Sequence, residues 1–350
     1  MIRKVFIFLI LMTVNTNAQD LRKLVDLRGD WFFNLGDDIN WSKENVNTKN
    51  WDAIKVPSAW EDQGYNGYDG FAWYRKSFNF HPRFNNSSLL FRLGRIDDVS
   101  QIFLNEKQIG IYGSFPPNYR TAYDQWIEIQ IPRELFKIDK SNTIAIRVYD
   151  AELSGGIIDG EISIYEIVDE LPLELNLEGE WKFTTSDNSQ YKISDFNDTK
   201  WTSIIVPGKW ESQGFAGYDG IAWYRKSFTI SKKLKDKKLV IVLGKIDDID
   251  EVYLNGKLIG STGNFYRLQD FNKQNQWQKL RSYFIIDNSI FNFNGENVIS
   301  VRVYDGFQDG GIFEGPIGIA EQSAFTKYWK KVQQRENKNS NSWFWDWLFD

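Results

Sequence analysis

One stretch of this chain occurs twice, and that internal repeat restricts the fold more than any other feature of the sequence. VPSAWEDQGYNGYDGFAWYRKSF (Val56–Phe78) returns 150 residues later as VPGKWESQGFAGYDGIAWYRKSF (Val206–Phe228). Over the 24 positions that begin at Val56 and Val206, 17 are identical. Two copies of about 145 residues are too few and too long for a solenoid. The 350 residues therefore predict two tandem globular domains, 19–170 and 171–322, followed by a tail over 323–350.

The repeat continues well beyond this first stretch. LGRIDDVSQIFLNEKQIG (Leu93–Gly110) matches LGKIDDIDEVYLNGKLIG (Leu243–Gly260), and TIAIRVYD (Thr143–Asp150) matches VISVRVYD (Val298–Asp305). The offset between the copies grows from 150 to 155 residues, so the intervening loops differ in length.

The hydrophobic pattern within each copy predicts β-strands. IAIRV (Ile144–Val148) alternates, with Ala145 and Arg147 facing away from the other three side chains, as in a half-buried strand. LVIVLG (Leu239–Gly244) is apolar throughout, which suits a strand covered on both faces. Many short strands between Gly, Asn and Asp turns predict an all-β fold of two tandem antiparallel jelly-roll β-sandwiches.

The two copies differ at one predicted hairpin turn. Asn255-Gly256 lies between apolar flanks and is a strong hairpin signal, because both residues tolerate a positive φ. The first copy has Asn105-Glu106 at this place. Glutamate is disfavoured at a positive φ, so we expect a different turn type there.

Taken in order, these motifs resemble a known domain. VPxxW, WYRKSF, a strand ending in LG, an LNGKxIG hairpin and VRVYD are similar to the sugar-binding, galactose-binding-like jelly-roll domain of glycoside hydrolase family 2. WExQGxxGxDGxxWYRK, IDDIDExYLNG and a Gly-Gly loop resemble the jelly-roll module of sialate O-acetylesterase-like proteins. The resemblance covers residues 27–167 and 177–320 and implies a domain that accompanies a catalytic domain.

The sequence contains few residues that could catalyse the hydrolysis of a glycoside or an ester. The family 2 catalytic carboxylates would need a barrel of about 250 residues, for which the two copies leave no room. An esterase needs a serine with a histidine base, but the single histidine, His81, has Ser231 as its counterpart in the second copy. The pairs Asp97-Asp98 and Asp247-Asp248 follow a strand, where Asp side chains stabilise turns.

No cofactor is predicted. A structural calcium ion stays open, because such sites use Asp, Glu and carbonyl oxygens. Asp150–Gly156 and Asp305–Gly311 carry carboxylates on loops, but their spacing differs between the copies, so no metal site is assigned.

The repeated loop WExQGxxGxDG has two interpretations. In the first, each Trp anchors the loop to the core and the glycines form tight turns. In the second, a ring stacks on a sugar while carboxylate and amide groups bind its hydroxyls. The candidate sugar ligands are Trp60, Glu61, Gln63, Tyr68 and Asp69 in copy one, and Trp210, Glu211, Gln213, Tyr218 and Asp219 in copy two. The longer loops 111–126 and 261–277 differ between the copies and are expected to determine ligand choice.

The amino-acid composition favours some classes of binding partner and argues against others. Aromatic residues make up 16% of the chain, including 15 Trp, as in many carbohydrate-binding surfaces and also in aromatic-rich sandwich cores. The formal net charge of -5 with no basic stripe argues against a nucleic-acid partner. The absence of Cys excludes disulfides and thiolate sites.

The N-terminal segment indicates where in the cell the protein is expected to be. Arg3 and Lys4, the apolar segment Val5–Met12, and Thr16 and Ala18 form a pattern typical of a signal peptide over residues 1–18. We therefore expect a periplasmic or secreted protein.

The aromatic tail is expected to fold back, bind a partner or lie on a membrane surface. A basic stretch for which a helix is expected, Lys327–Arg335, precedes it. The residues predicted to dock are Trp343, Phe344, Trp345, Trp347, Leu348 and Phe349.

Three functions remain open from the sequence. The first is a non-catalytic protein that binds a glycan or oligosaccharide and assists glycan breakdown. The second is a scaffold that docks on a glycan-degrading enzyme or a membrane. The third, a glycoside hydrolase or carbohydrate esterase, is the least supported by the residues present.

Overall fold

A computed structural model describes residues 21–81, 88–168, 170–274 and 276–334 of the chain. The predicted signal peptide and the aromatic tail residues 343–349 lie outside these described residues. Strands dominate the described part, and the all-β prediction is confirmed. No helix among these residues is long and apolar enough to cross a membrane.

Equivalent strands recur in the two copies in the same order. In copy one the strands are β1 Leu21–Asp26, β2 Gly29–Leu35, β3 Asp52–Val56, β4 Gly70–Asn79, β5 Leu89–Asp97, β6 Val99–Leu104, β7 Lys107–Tyr112, β8 Ile127–Ile131, β9 Ser141–Asp150 and β10 Gly156–Ile167. In copy two they are β11 Leu175–Asn176, β12 Gly179–Thr184, β13 Thr202–Val206, β14 Gly220–Phe228, β15 Leu239–Ile246, β16 Ile249–Leu254, β17 Lys257–Thr262, β18 Leu280–Phe284, β19 Asn297–Asp305 and β20 Ile312–Glu321.

Helical structure is confined to short turns and one longer segment. The 3-10 turns are Ile39–Ser42, Glu61–Gln63, Arg133–Leu135, Ser189–Lys192, Glu211–Gln213, Lys232–Leu234, Phe265–Asp270 and Asn288–Ile290. The four-residue helix α1 spans Phe271–Gln274. Residues 322–334 form the longer C-terminal helix, which includes most of the basic stretch predicted to be helical.

Each copy contains a six-stranded and a four-stranded antiparallel sheet. The strand order is β3-β2-β4-β9-β6-β7 and β1-β10-β5-β8 in copy one, and β13-β12-β14-β19-β16-β17 and β11-β20-β15-β18 in copy two. The two sheets of a copy contribute to one hydrophobic cluster. In copy one, Phe33 and Tyr74 from the larger sheet and Phe91 and Ile164 from the smaller sheet all belong to it.

Both strands read from the sequence are present, but the half-buried prediction for Ile144–Val148 is confirmed only in part. Ile144, Ile146 and Val148 are fully buried in the copy-one core, whereas Ala145 belongs to a separate small cluster with Trp73. In β15 the side chains of Leu239–Ile246 are buried on both faces, apart from a half-buried Lys245. The alternation in β9 therefore separates two faces, of which the second is also covered at Ala145 and stays half-buried at Arg147.

The expected difference between the two hairpin turns is wrong. Asn105 and Glu106 have φ of 48° and 69°, close to the 49° and 80° of Asn255 and Gly256. Contacts outside the hairpin hold Glu106 in this conformation, because its carboxylate accepts a hydrogen bond of 2.7 Å from the backbone N–H of Glu44. Tertiary contacts therefore outweigh the local preference of glutamate.

Candidate functional site

The two tryptophans of the repeated loop are buried. Trp60 and Trp210 are both 0% exposed. A Cβ added at Gly155 would lie 2.2 Å from the Trp60 ring, so the Gly-Gly loop sits directly on that ring. The structure therefore matches the interpretation in which Trp anchors the loop, and sugar stacking on either ring does not fit this burial.

Glu61, Gln63 and Tyr68 also fix the loop. The Glu61 carboxylate accepts a 3.1 Å bond from the Gly155 N–H, and Gln63 bonds both the N–H and C=O of Lys55. The Tyr68 hydroxyl donates to the Phe71 carbonyl at 2.7 Å. The second copy repeats these bonds through Glu211, Gln213 and Tyr218. Asp69 and Asp219 stay exposed, and their predicted role in binding stays a prediction.

A cleft of about 760 Å³ lies between the two copies. Its copy-one wall consists of β7, β8 and the end of the variable loop 111–126, and its copy-two wall contains the repeated loop. Polar and aromatic residues of copy one in the lining include Tyr112, Arg120, Gln125, Trp126, Glu128 and Gln130. Those of copy two include Lys209, Glu211, Ser212, Gln213 and Asp309. Two of the predicted ligand residues, Glu211 and Gln213, therefore line the same cleft as the variable loop of the other copy.

Trp126 provides an exposed aromatic surface in this cleft. Its side chain is 62% exposed. Gly160 lies against the ring, where an added Cβ would be 2.7 Å away, and the Arg95 guanidinium lies 5.6 Å from the ring centroid. The ring is therefore supported on the protein side and accessible to a ligand.

Charged groups also line this cleft. Lys209 and Asp309 form an ion pair of 2.5 Å on the copy-two wall. Burial, with smaller contributions from the nearby charges of Asp309 and Asp305, raises the pKa of Glu211 to about 8. Its Oε2 accepts the Gly310 N–H and its Oε1 is buried, so Glu211 holds the loop in place and does not face the open cleft.

Direct hydrogen bonds join the two copies next to the cleft. The Gln130 side chain accepts a 2.9 Å bond from the Gly315 N–H and donates to the Glu178 carboxyl group at 3.3 Å. Ser88 donates to the same carboxyl group at 2.9 Å. These contacts set the position of one wall relative to the other. Sequence reasoning located the variable loop but missed this junction, because the packing of one copy on the other has no signal within the repeat.

The remaining catalytic candidates lie away from the cleft lining. The exposed His81 ring bonds Asp139 at 2.9 Å, and Ser231 caps the 3-10 turn Lys232–Leu234. The predicted turn role of the first aspartate pair is confirmed for Asp98, whose carboxylate accepts a 3.0 Å bond from the Ala151 N–H.

Three carboxylates at the loop end of copy one come together without having been predicted as a group. Asp97, Asp98 and Asp150 each place an oxygen within 4.8 Å of the others. The sequence indicated a loop carboxylate at Asp150 and an aspartate pair at 97–98 but did not connect them. Strand pairing does so, because β6 begins beside the end of β9, with Val99 opposite Tyr149.

Comparison with known proteins gives partial matches. No family model matches the chain. A β-glucuronidase of Formosa agariphila is 28% identical over 141 residues, which cover 37% of this chain and 13% of the relative. A β-galactosidase of Clostridium acetobutylicum is 24% identical over 168 residues, covering 40% of this chain and 17% of the relative. The chain therefore spans less than one fifth of either relative.

Alignments with solved structures cover more of this chain than those with the curated relatives, but at low sequence identity and low TM-score. Bacteroides uniformis beta-glucuronidase 2 aligns with 84% of this chain and 28% of its own, at 14% identity and a TM-score of 0.36. A glycosyl hydrolase family 2 member from Bacteroides cellulosilyticus aligns with 80% of this chain and 31% of its own, at 15% identity and a TM-score of 0.34.

Proposed function

We propose that this chain is an exported, non-catalytic carbohydrate-binding protein that assists glycan breakdown. Each copy is proposed to be a jelly-roll sandwich of the type that binds sugars in family 2 glycosidases. The partial similarity to β-glucuronidases and β-galactosidases supports a carbohydrate ligand. The export part of the proposal rests on the residues of the N-terminal segment alone.

The observation that carries the proposal is the cleft between the copies, with Trp126 exposed on one wall. A volume of about 760 Å³ lies in the range of ordinary ligand sites. Aromatic rings provide an apolar surface on which the C–H face of a pyranose can lie. The carboxyl, amide and charged groups on both walls provide the hydrogen bonds that would orient its hydroxyls.

Lys209, held by Asp309, supplies a hydrogen-bond donor from the copy-two wall. Glu128 and Gln130 supply an acceptor and an amide group from the copy-one wall. We therefore expect oligosaccharides to bind across the cleft, touching both copies.

The test compares two tryptophans at equivalent loop ends. The full chain is screened on an oligosaccharide array, and the best ligand is titrated calorimetrically against Trp126→Ala and Trp277→Ala. Trp277 is 46% exposed but does not line the cleft, so it is the matched control. Losing one stacking ring predicts an affinity loss on the order of tenfold for Trp126→Ala alone. Equal losses in both variants, or no ligand on a broad array, would contradict the proposal.

A further inference from the structure

The edge strand of the four-stranded sheet ends at equivalent places in the two copies, but its surroundings differ. In copy one, Ile131 at the end of β8 is 1% exposed, and Pro132 after it is buried. In copy two the equivalent residues are Ile285, which is half-buried, and Ile286, which is 99% exposed. The same end of the sheet is therefore covered in copy one and open in copy two.

Copy two covers this end of copy one. The Gln130 side chain accepts a 2.9 Å bond from the Gly315 N–H, and the Glu134 carboxylate accepts a 3.0 Å bond from the Glu180 N–H. Pro132 lies between Gln130 and Glu134 in the chain and lines the cleft between the copies. The part of the chain that follows copy one therefore packs on the end of its edge strand.

The equivalent end of copy two borders a pocket of about 570 Å³. The apolar residues that line the pocket are Ile285, Ile286, Phe291 and Phe293. Phe284, which is 49% exposed, directly precedes them and occupies the position of Gln130. Several apolar side chains exposed side by side are typical of a contact surface, whereas single exposed ones are common anywhere.

A lysine-rich loop forms another part of this pocket. Five of the seven residues 232–238 are lysines, and the charged residues of the lining are Lys235, Asp236, Lys237, Lys238 and Asp287. The Asn288 side chain donates to the carbonyls of Lys235 and Lys237 at 2.7 and 2.8 Å, which fixes the loop beside the apolar residues. The loop keeps a net positive charge although Lys237 is paired with Glu321 at 2.9 Å. The pocket therefore suits a segment that is both apolar and acidic.

We propose that the aromatic segment 343–349 of the same chain docks into this pocket of copy two. WFWDWLF contains six large apolar residues for the apolar lining, and Asp346 for the lysine-rich loop. The segment follows copy two in the chain as copy two follows copy one, so each copy would have the end of its edge strand covered by what comes next. This docking does not depend on glycan binding.

The connecting residues are long enough for this contact. The C-terminal helix, residues 322–334, begins beside the pocket, because the Gln322 N–H donates to the Lys238 carbonyl at 2.8 Å. A helix of this length carries the chain about 20 Å away. The connection over residues 335–342 can span about 26 Å when extended, which is enough to return to the pocket.

Hydrogen exchange tests the docking by comparing the full chain with a variant that lacks residues 343–350. We expect the amides of residues 285–294 to exchange at least about tenfold faster in the shortened chain, because the pocket loses its cover. The equivalent residues 131–138 of copy one, which copy two covers, should exchange at an unchanged rate. Equal exchange of residues 285–294 in both chains overturns the proposal.

A point variant tests the pocket in the full chain. Ile286→Asp places a charge in the apolar lining without disturbing the core, because Ile286 is 99% exposed. Chymotrypsin should then cleave the segment 343–349 at least about tenfold faster than in the wild-type chain. Leu153→Asp is the matched control, since Leu153 is 83% exposed and belongs to copy one. Similar cleavage in both variants and the wild-type chain overturns the proposal.

Two other locations of the segment give different results. Sedimentation of the wild-type chain should show a monomer. A dimer that dissociates when residues 343–350 are removed would place the segment on a second copy, and the proposal would be wrong. Cleavage of the segment that slows only when vesicles of anionic phospholipid are added would assign it to a membrane surface, which also overturns the proposal.

Discussion

The two copies have the same strand order but different surroundings, and the four-stranded sheets show this best. In copy two the outer face of β15 carries Val240 and Val242, which pack with Leu171 and with Phe325 of the C-terminal helix. In copy one the equivalent face of β5 carries Arg92, which forms an ion pair with Glu128. The first sheet therefore presents a charged outer face, and the second is covered by another part of the chain.

This difference teaches where function resides in a duplicated protein. Residues shared by both copies, such as Trp60 and Trp210, anchor equivalent loops and maintain the fold. The cleft, the copy junction and the carboxylate cluster depend instead on positions where the copies differ in sequence or arrangement. The following predictions test that separation, starting from the largest expected effect.

The largest effect is expected at a buried ion pair found in copy two. Arg281 and Asp250 are 1% and 0% exposed and form a 2.5 Å contact, and the Tyr283 hydroxyl also bonds Asp250. Arg281→Ile would leave the Asp250 charge buried without its partner. We expect the free energy of unfolding, measured with urea, to fall by about 3–5 kcal/mol.

The equivalent residues of copy one suggest a variant of copy two that should restore the lost stability. Its residues at the positions of Asp250, Arg281 and Tyr283 are Ser100, Ile127 and Ile129. The triple variant Asp250→Ser, Arg281→Ile, Tyr283→Ile removes the charge and its partners together, and buried ion pairs are often replaceable in this way. We expect it to recover most of the loss. A triple variant as unstable as Arg281→Ile would show that copy two requires the polar network itself.

A smaller loss is expected from the helix that covers copy two. Phe325 is 6% exposed, with its ring centroid 5.8 Å from that of Phe284 and 6.4 Å from that of Trp329. Phe325→Ala should lower stability by about 2–4 kcal/mol, because it removes a buried ring, although the terminal helix can relax. Hydrogen exchange over residues 322–334 should also accelerate. Exposed Gln333→Ala is the control, and a similar effect in both would contradict the packing role.

The fold was more predictable than the site because its signals are local. The repeat, the alternation in Ile144–Val148 and the apolar run Leu239–Gly244 lie within short stretches, and periodicity reveals them. The cleft joins Trp126 of one copy to Glu211 of the other, a contact that depends on how the copies pack. Glutamate at position 106 shows the same limit, since a hydrogen bond from a distant backbone group sets its conformation.

The copy junction should make stability depend on pH. Burial, with a smaller contribution from the charge of Glu170, raises the pKa of Glu178 from 4.5 to about 8. Its counterpart in copy one, Arg28, is exposed. Because the folded state holds the proton more tightly, the stabilisation is fully present below about pH 4.5 and is lost as the pH rises towards 8.

Glu178→Gln tests this dependence because glutamine resembles the protonated acid. The variant and the wild-type chain should have similar stability at pH 5. At pH 9 the variant should be more stable, by an amount on the order of a few kcal/mol. Urea unfolding at both pH values measures this, with Arg28→Gln as the control in copy one. A difference between variant and wild type that does not change with pH would contradict a protonated Glu178.

The smallest effect is expected on the charged outer face of copy one. Arg92→Val introduces the residue type found at Val242, but here the side chain is one-third exposed and its partner Glu128 is about half exposed. Exposed ion pairs contribute little, so the free energy of unfolding should change by less than about 1 kcal/mol. The reverse change, Val242→Arg, should be strongly destabilising because it places a charge beneath the helix. A large loss from Arg92→Val would mean that the copy-one sheet is also covered, and the contrast between the two copies would then disappear.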